Sequence, residues 1–334
     1  MVISPEEFLS LRKSLPVVDV RSEGEFQRGH IPGAVNIPLL NNTERAAVGT
    51  DYKNKGREEA VKTGFRMVGP RLIDIINQAQ QTATQHEMIV HCWRGGMRSS
   101  FFSQFAEMAG IKTRQLKGGY KAYRNLVHQS FQQPLQLRVI GGYTGSGKTE
   151  ILQALAAAGE QVIDLERLAH HKGSVFGGLM MPPQPTTEQF ENTLFEVINT
   201  LDVTKRIWIE DESIAIGKIF IPQRLWKTLT ESPVIEIRVE KEIRVNRLVN
   251  EYGHLNPQEF LTAMNSIINK LGGQHFKAAK EKLLAADWPP VIDILLTYYD
   301  KAYQNGLARK KQRITKQIDW DGKQISKIVN DILQ

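Results

Sequence analysis

A single cysteine, Cys92, stands in a chain of 334 residues, so no intrachain disulfide can form and a reducing compartment is the natural setting. No apolar run is long enough to span a bilayer, so no membrane partner is expected. The first residues, Met1-Val2-Ile3-Ser4-Pro5, lack a basic stretch followed by an apolar core. A secretory leader is therefore not expected, and the cytoplasm is the expected location. Internal repeats and long low-complexity tracts are also missing. Charge is not scarce: 43 Lys and Arg against 36 Asp and Glu leave a net +7, which suits a polyanionic partner. The length exceeds what one core usually organises and points to two domains.

What is present gathers in two stretches. The first begins with the apolar run Met88-Ile89-Val90, a buried strand. Cys92-Trp93-Arg94-Gly95-Gly96-Met97-Arg98 follows as a loop, and Ser99 to Ala106 reads as a helix with an apolar face. A thiol between a strand end and a helix N-terminus sits where loop N–H groups and the helix dipole favour an anion, so the thiolate is its expected form. Arg94 and Arg98 add positive charge, and the three residues form the catalytic candidate.

The second stretch is Gly142-Tyr143-Thr144-Gly145-Ser146-Gly147-Lys148-Thr149, preceded by the strand Leu135 to Gly141 and followed by a helix from Glu150. This is a Walker A pattern in the strand–loop–helix setting it requires. Backbone N–H groups at Gly142, Gly145, Ser146 and Gly147 wrap a phosphate, Lys148 bridges its oxygens, and Thr149 suits Mg²⁺. Gln161 to Asp164 and Arg206 to Ser213 are further strands ending in acids. Asp164, Glu210, Asp211 and Glu212 are the candidates for the cation side of the site. Strand alternation sets Glu210 and Glu212 on one face and Asp211 on the other, leaving open which one faces the phosphate. His170 and His171 have no thiol nearby and a lysine beside them, so no structural metal is expected. The wider pocket candidates are His171, Lys172, Ser174 and Ser213.

Two basic clusters remain. Lys53, Lys55 and Arg57 lie in a long polar insertion, Asn41 to Ala60, read as a solvated segment or as a lid or nucleic-acid contact. Arg309, Lys310, Lys311 and Arg313 form a solvated helix face or a second set of phosphate contacts.

The motifs Asp19-Val20-Arg21, Glu25-Phe26, Gly29-His30-Ile31-Pro32-Gly33-Ala34, Asn36-Ile37-Pro38, the Cys92 loop and Gly118-Gly119-Tyr120 recur in order over residues 4–126 and resemble the rhodanese superfamily. The resemblance implies a small parallel-sheet α/β domain whose cysteine carries sulfur or selenium as a persulfide-like adduct. Five residues separate Cys92 from Arg98, where many sulfurtransferases of that superfamily have four. The longer loop also occurs in rhodanese-like phosphatases, where it makes room for a phosphate-sized group. The expected fold is thus an N-terminal rhodanese-like domain over residues 1–128, a linker over 129–134, and a P-loop NTPase-like α/β domain with a helical C-terminal part over 135–334.

Taken together, Cys92 to Ser99, Asp164-Leu165-Glu166, His171 to Gly177 and Glu210 to Ser213 resemble the tRNA 2-selenouridine synthase family over essentially the whole chain. That resemblance implies a transferase that replaces the C2 sulfur of the wobble 2-thiouridine by selenium. It implies S-geranylation from geranyl diphosphate first and selenophosphate as selenium donor second. tRNA is the implied partner, together with the enzyme that makes selenophosphate. No tightly bound cofactor is implied, and Mg²⁺ is the ion such a P-loop accepts. The P-loop motif itself suits ATP as well as geranyl diphosphate. The alternatives are a rhodanese-like phosphatase or sulfurtransferase fused to an ATP-dependent kinase, and a tRNA-binding module with a degenerate P-loop.

Overall fold

A computed structural model describes the backbone of residues 1–334 and the side chains of all but 305–310. The chain divides into two compact units, Met1–Ser130 with Glu191–Glu196, and Phe131–Phe190 with Val197–Gln334. Each is built on a five-stranded sheet, parallel throughout, as the α/β reading expects. Among the described residues no helix is long and apolar enough to cross a membrane.

In the first unit the strands are β1 (Val2–Ile3), β2 (Val17–Asp19), β3 (Val35–Asn36), β4 (Glu87–His91) and β5 (Lys112–Leu116), in the order β1-β5-β4-β2-β3. β4 lies in the middle, buried from Met88 to His91, which is why its apolar residues do not alternate with polar ones. Val18, Val20, Met88, Val90, Phe102 and Ile111 form its core with Cys92. The polar insertion is a pair of helices, Asn42–Lys55 and Arg57–Val68, broken at Gly56 with φ +87°. Asn41 and Glu44 close the first helix with a reciprocal cap, at 2.9 Å and 2.8 Å. The helix Gly119–Ser130 ends the unit's continuous part.

In the second unit the strands are β6 (Gln136–Gly142), β7 (Gln161–Ile163), β8 (Arg206–Glu210), a small hairpin of β9 (Ala215–Ile216) and β10 (Ile219–Phe220), β11 (Val234–Arg238) and β12 (Ile314–Asp319). The main sheet runs β12-β11-β6-β8-β7, again with the motif-bearing strand in the middle. Helices after β11 build a separate apolar cluster around Phe260, Met264, Val291 and Leu296.

At the end of β2 lies a buried ion pair. Asp19 and Arg21 have side chains 0% and 1% exposed, with Nη2 2.6 Å from Oδ2. Arg21 also donates to Gly29 O at 2.7 Å, and its guanidinium carbon lies 3.9 Å from the centre of the Tyr120 ring. Three of the motifs thus meet at one arginine. Removing one member of such a pair strands the other charge in a dry interior, at a cost of about 3–5 kcal/mol. Arg21→Met should lower the urea midpoint accordingly, and adding Asp19→Asn should recover part of the loss. A loss under about 1 kcal/mol would show that the pair does not hold the unit.

Candidate active site

β4 ends at His91 and hands Cys92 to the loop. The thiol is buried, 3% exposed, and its Sγ accepts from Gly96 N–H at 3.3 Å with Ser99 Oγ also at 3.3 Å. The helix Met97–Met108 starts from this loop, so its unpaired N–H end is directed at the same place. The N–H groups of Tyr120 and Lys121 bind the carbonyls of Cys92 and Trp93, both at 2.9 Å. This clasp requires glycine at position 119, whose φ is +59°. A Cβ there would stand 2.3 Å from Cys92 O and 2.6 Å from Gly95 N.

The two arginines of the loop differ. Arg94 is exposed. Arg98 is bound to Glu25, with Nη1–Oε2 2.5 Å and Nη2–Oε1 3.1 Å, and Arg45 Nε adds a third contact to that carboxylate at 3.0 Å. Of the two arginines expected to add positive charge beside the thiol, Arg94 is exposed and Arg98 is ion-paired with Glu25.

The second loop leaves β6 and opens into a cavity of about 750 Å³ lined by Lys148, Thr149, Glu166, Lys172, Ser174, Asp211, Glu212, Ser213 and Arg247, among others. It lies at the carboxyl end of the middle strand, where parallel sheets bind ligands. Gly147 has φ +78°, and a Cβ there would meet the Trp320 ring at 2.6 Å and Arg247 Nη2 at 2.8 Å. Lys148 Nζ donates to Gly142 O at 3.1 Å. Ser146 Oγ is buried and turned inward, with no hydrogen-bond partner among the described residues. The loop is braced from behind by Arg244, whose Nη1 and Nη2 each lie 2.8 Å from the Asp300 carboxylate and whose Nη1 reaches Thr144 O at 3.3 Å.

The acidic candidates separate. Glu210 is the last residue of β8, and its buried carboxylate accepts from Glu166 N–H at 2.8 Å. Asp164 caps the helix Leu165–Ala169 through Arg167 N–H at 2.8 Å. These two hold backbone. Asp211 and Glu212 line the cavity, and Glu166 joins them, accepting from Thr149 Oγ1 at 3.0 Å. Burial first, and then the charge of Glu166, push Glu212 up to about 8. Burial also raises Glu166, against the pull of Lys148. Among the described residues no group of three or more His, Cys, Asp or Glu is placed to hold a metal ion.

His171 is turned away, its ring carbon 3.4 Å from where a Gly178 Cβ would be, and burial keeps it below its ordinary value and so neutral. Lys172 is ion-paired with Glu251 on the cavity wall. The residues that sequence reasoning did not single out for this site are Glu166, Arg247, Glu251, Tyr252, Tyr299 and Tyr303. For Glu166 a signal existed, an acid three residues past the end of β7.

Of the basic clusters, Lys53 and Arg57 are exposed, while Lys55 Nζ lies 2.8 Å from Asp51. The Arg309 and Lys310 side chains lie outside the described residues. Lys311 is exposed. Arg313 is not a free cation: its Nη1 holds Leu229 O at 2.7 Å and Ser232 O at 3.0 Å.

Known proteins match both halves. Residues 4–126 match the rhodanese-like domain. Residues 135–331 match the tRNA 2-selenouridine synthase AAA domain. A tRNA 2-selenouridine synthase of Sulfurovum sp. (strain NBC37-1) is 34% identical over 336 residues, covering 90% of this chain and 90% of its own. One of Bdellovibrio bacteriovorus is 40% identical over 260 residues, covering 75% of this chain and 68% of its own. The crystallised N-terminal domain of a Clostridium difficile 630 protein, the full protein being named a "putative ATP/GTP binding protein", is 43% identical over 38% of this chain and 98% of that chain, with a TM-score of 0.36.

The Glu166–Glu212 pair sets a pH dependence. In the unfolded chain a glutamate loses its proton near 4.5, whereas folded Glu212 keeps its proton to about 8. Between those values the folded state binds more protons, so this group's contribution to stability falls as pH rises and levels off above about 8. Glu212→Gln removes this titrating group. Without divalent cations its melting temperature should exceed the parent's by a few degrees near pH 8, and the gap should close toward pH 5. Parallel melting curves for the two chains across that window would overturn the assignment.

Proposed function

The chain belongs to the tRNA 2-selenouridine synthase family, and from that membership we propose that it replaces sulfur by selenium at C2 of a wobble 2-thiouridine in tRNA, using its two loops for two different steps. The observation that supports this reading is the presence of two strand–loop–helix turns of different chemistry, one holding the only thiol and one holding Lys148 and Thr149.

The P-loop takes the diphosphate of geranyl diphosphate. Its N–H groups and Lys148 stabilise the charge that grows on the departing diphosphate. The thiocarbonyl sulfur attacks C1 of the allylic chain, the C–O bond breaks with its electron pair going to diphosphate, and the N3 proton is lost. Sulfur that was a poor leaving group becomes an S-alkyl group that can depart as a thiol. An Mg²⁺ ion suits the hard oxygen donors of Thr149, Glu166 and Glu212, and when bound it would neutralise diphosphate charge. Two crowded carboxyls are the groups that such a cation relieves.

The Cys92 loop serves the second step. Selenium of selenophosphate attacks C2, the C2–S bond breaks, and geranylthiol leaves. The Cys92 thiolate then attacks phosphorus and the P–Se bond breaks, which frees 2-selenouridine. Water returns the cysteinyl phosphate to thiol and phosphate. A perselenide formed by attack of Cys92 on selenium would expel phosphorus as phosphite, a two-electron reduction. Phosphoryl transfer needs no redox partner, and the five residues between Cys92 and Arg98 suit a phosphate-sized group. The cytoplasm is where such a reaction meets tRNA. Lys53 and Arg57, exposed on the helix pair, are phosphate contacts in this reading.

Nucleoside mass spectrometry separates the steps. Cys92→Ser should geranylate at near the parent rate and form no 2-selenouridine. Lys148→Ala should lose geranyl transfer by about 10²-fold or more yet selenate RNA supplied already geranylated. A Lys148→Ala chain that loses ATP binding but holds geranyl diphosphate normally in calorimetry would assign the P-loop to a nucleotide. Replacing Lys53 and Arg57 by alanine should weaken tRNA binding and flatten its salt dependence by roughly one to two units of slope. An unchanged slope moves the tRNA surface elsewhere.

A further inference from the structure

The first unit contains an apolar cavity of about 90 Å³ that the two-step reading has not used. It lies between the helix pair Asn42–Lys55 and Arg57–Val68 and the helix Met97–Met108 that begins at the Cys92 loop. Leu40, Val48, Val61, Phe65, Phe101 and Phe105 form its walls, and Arg98 is its one charged side chain. One water needs about 10–15 Å³ on such a measure, so the space admits a chain of several carbons. Its wall residues Leu39, Leu40 and Val68 belong to the same buried apolar cluster as Cys92. The mouth is apolar as well, with Tyr52 55%, Phe65 50% and Met97 41% exposed.

Gly64 keeps the cavity open. It sits inside a helix, where glycine weakens the element, and the nearest atom to a Cβ built there is Val48 Cγ2 at 4.0 Å. A side chain would fit, and its absence leaves room. The cavity offers nothing to a diphosphate, because Arg98 is already bound to Glu25. It suits an uncharged, short, branched hydrocarbon whose polar end lies near the thiol.

We propose that this cavity seats the hydrocarbon chain of the S-alkylated nucleoside during the step at Cys92. The proposal rests on the two-step reading, because that reading supplies a substrate with an apolar chain and no diphosphate. The helix pair, which looks like a polar insertion in the sequence, then acts as a chain-length gauge.

The test compares the full chain's affinity for two anticodon stem-loops, one carrying S-geranyl-2-thiouridine and one carrying S-methyl-2-thiouridine. The parent should prefer the geranyl form by at least about tenfold, the worth of about two buried CH₂ groups. Gly64→Leu, which fills the space, should reduce that preference about tenfold. Phe65→Ala, at the half-exposed rim, should reduce it in the same direction and guards against misfolding of the filled variant. A parent without preference, or a preference that survives both substitutions, overturns the cavity assignment. Failure of the parent to convert the geranyl stem-loop to 2-selenouridine with selenophosphate overturns the two-step reading instead, and leaves the affinity result readable.

Discussion

A parallel strand that ends in the middle of a sheet leaves its last carbonyls and the first N–H groups of the next helix facing one small volume. Both reactive loops depend on that arrangement. β4 and β6 are each the third strand of five. Each is followed by a loop too tight for side chains at selected positions and then by a helix start. The N–H groups collected there favour negative charge in both loops. The rest of each unit keeps those groups in place. Asp19 and Arg21 fix Tyr120 beside the first loop, and Arg244 and Asp300 fix Thr144 in the second.

The electrostatic surroundings of the two loops are opposite. Beside the Cys92 loop Glu25 holds both Arg98 and Arg45. One carboxylate between two guanidinium groups leaves that trio a net positive charge, and Arg94 is exposed nearby in the sequence. Beside Lys148 the carboxyls of Glu166 and Glu212 are both raised, first by burial, and for Glu212 also by the charge of Glu166. Burial that disfavours the charged carboxylates is offset when a cation binds beside them.

Both loops were legible in the sequence because their signals are local: glycines, a nucleophile or lysine, and a flanking strand and helix within a few residues. Glu166 was not chosen, because it reaches the Walker loop only through β7, which lies beyond β8 in the sheet, and no local pattern encodes that pairing. Alternation failed for Glu210 and Glu212 because β8 stops at Glu210, and past a strand end the two-residue period no longer applies. The helix pair looked like polar insertion because Asn42–Lys55 buries none of its residues, so it shows no apolar period. Its Asn41–Glu44 cap was the readable sign. Arg313 looked like a phosphate contact by composition, yet it anchors the start of β12 by holding two carbonyls of a preceding turn.

The Walker loop is completed from far along the chain. β12 pairs with β11, and Trp320, which follows it, packs with Arg247 against Gly147. On the ribosome the loop therefore emerges long before the strand and ring that confine it. Until β12 arrives, β11 is an open sheet edge, which invites pairing with other chains. Closing the sheet joins segments of great sequence separation, a slow kind of folding event. The nascent P-loop half thus carries an exposed strand edge, and a loop lacking the ring that confines it, until β12 is in register.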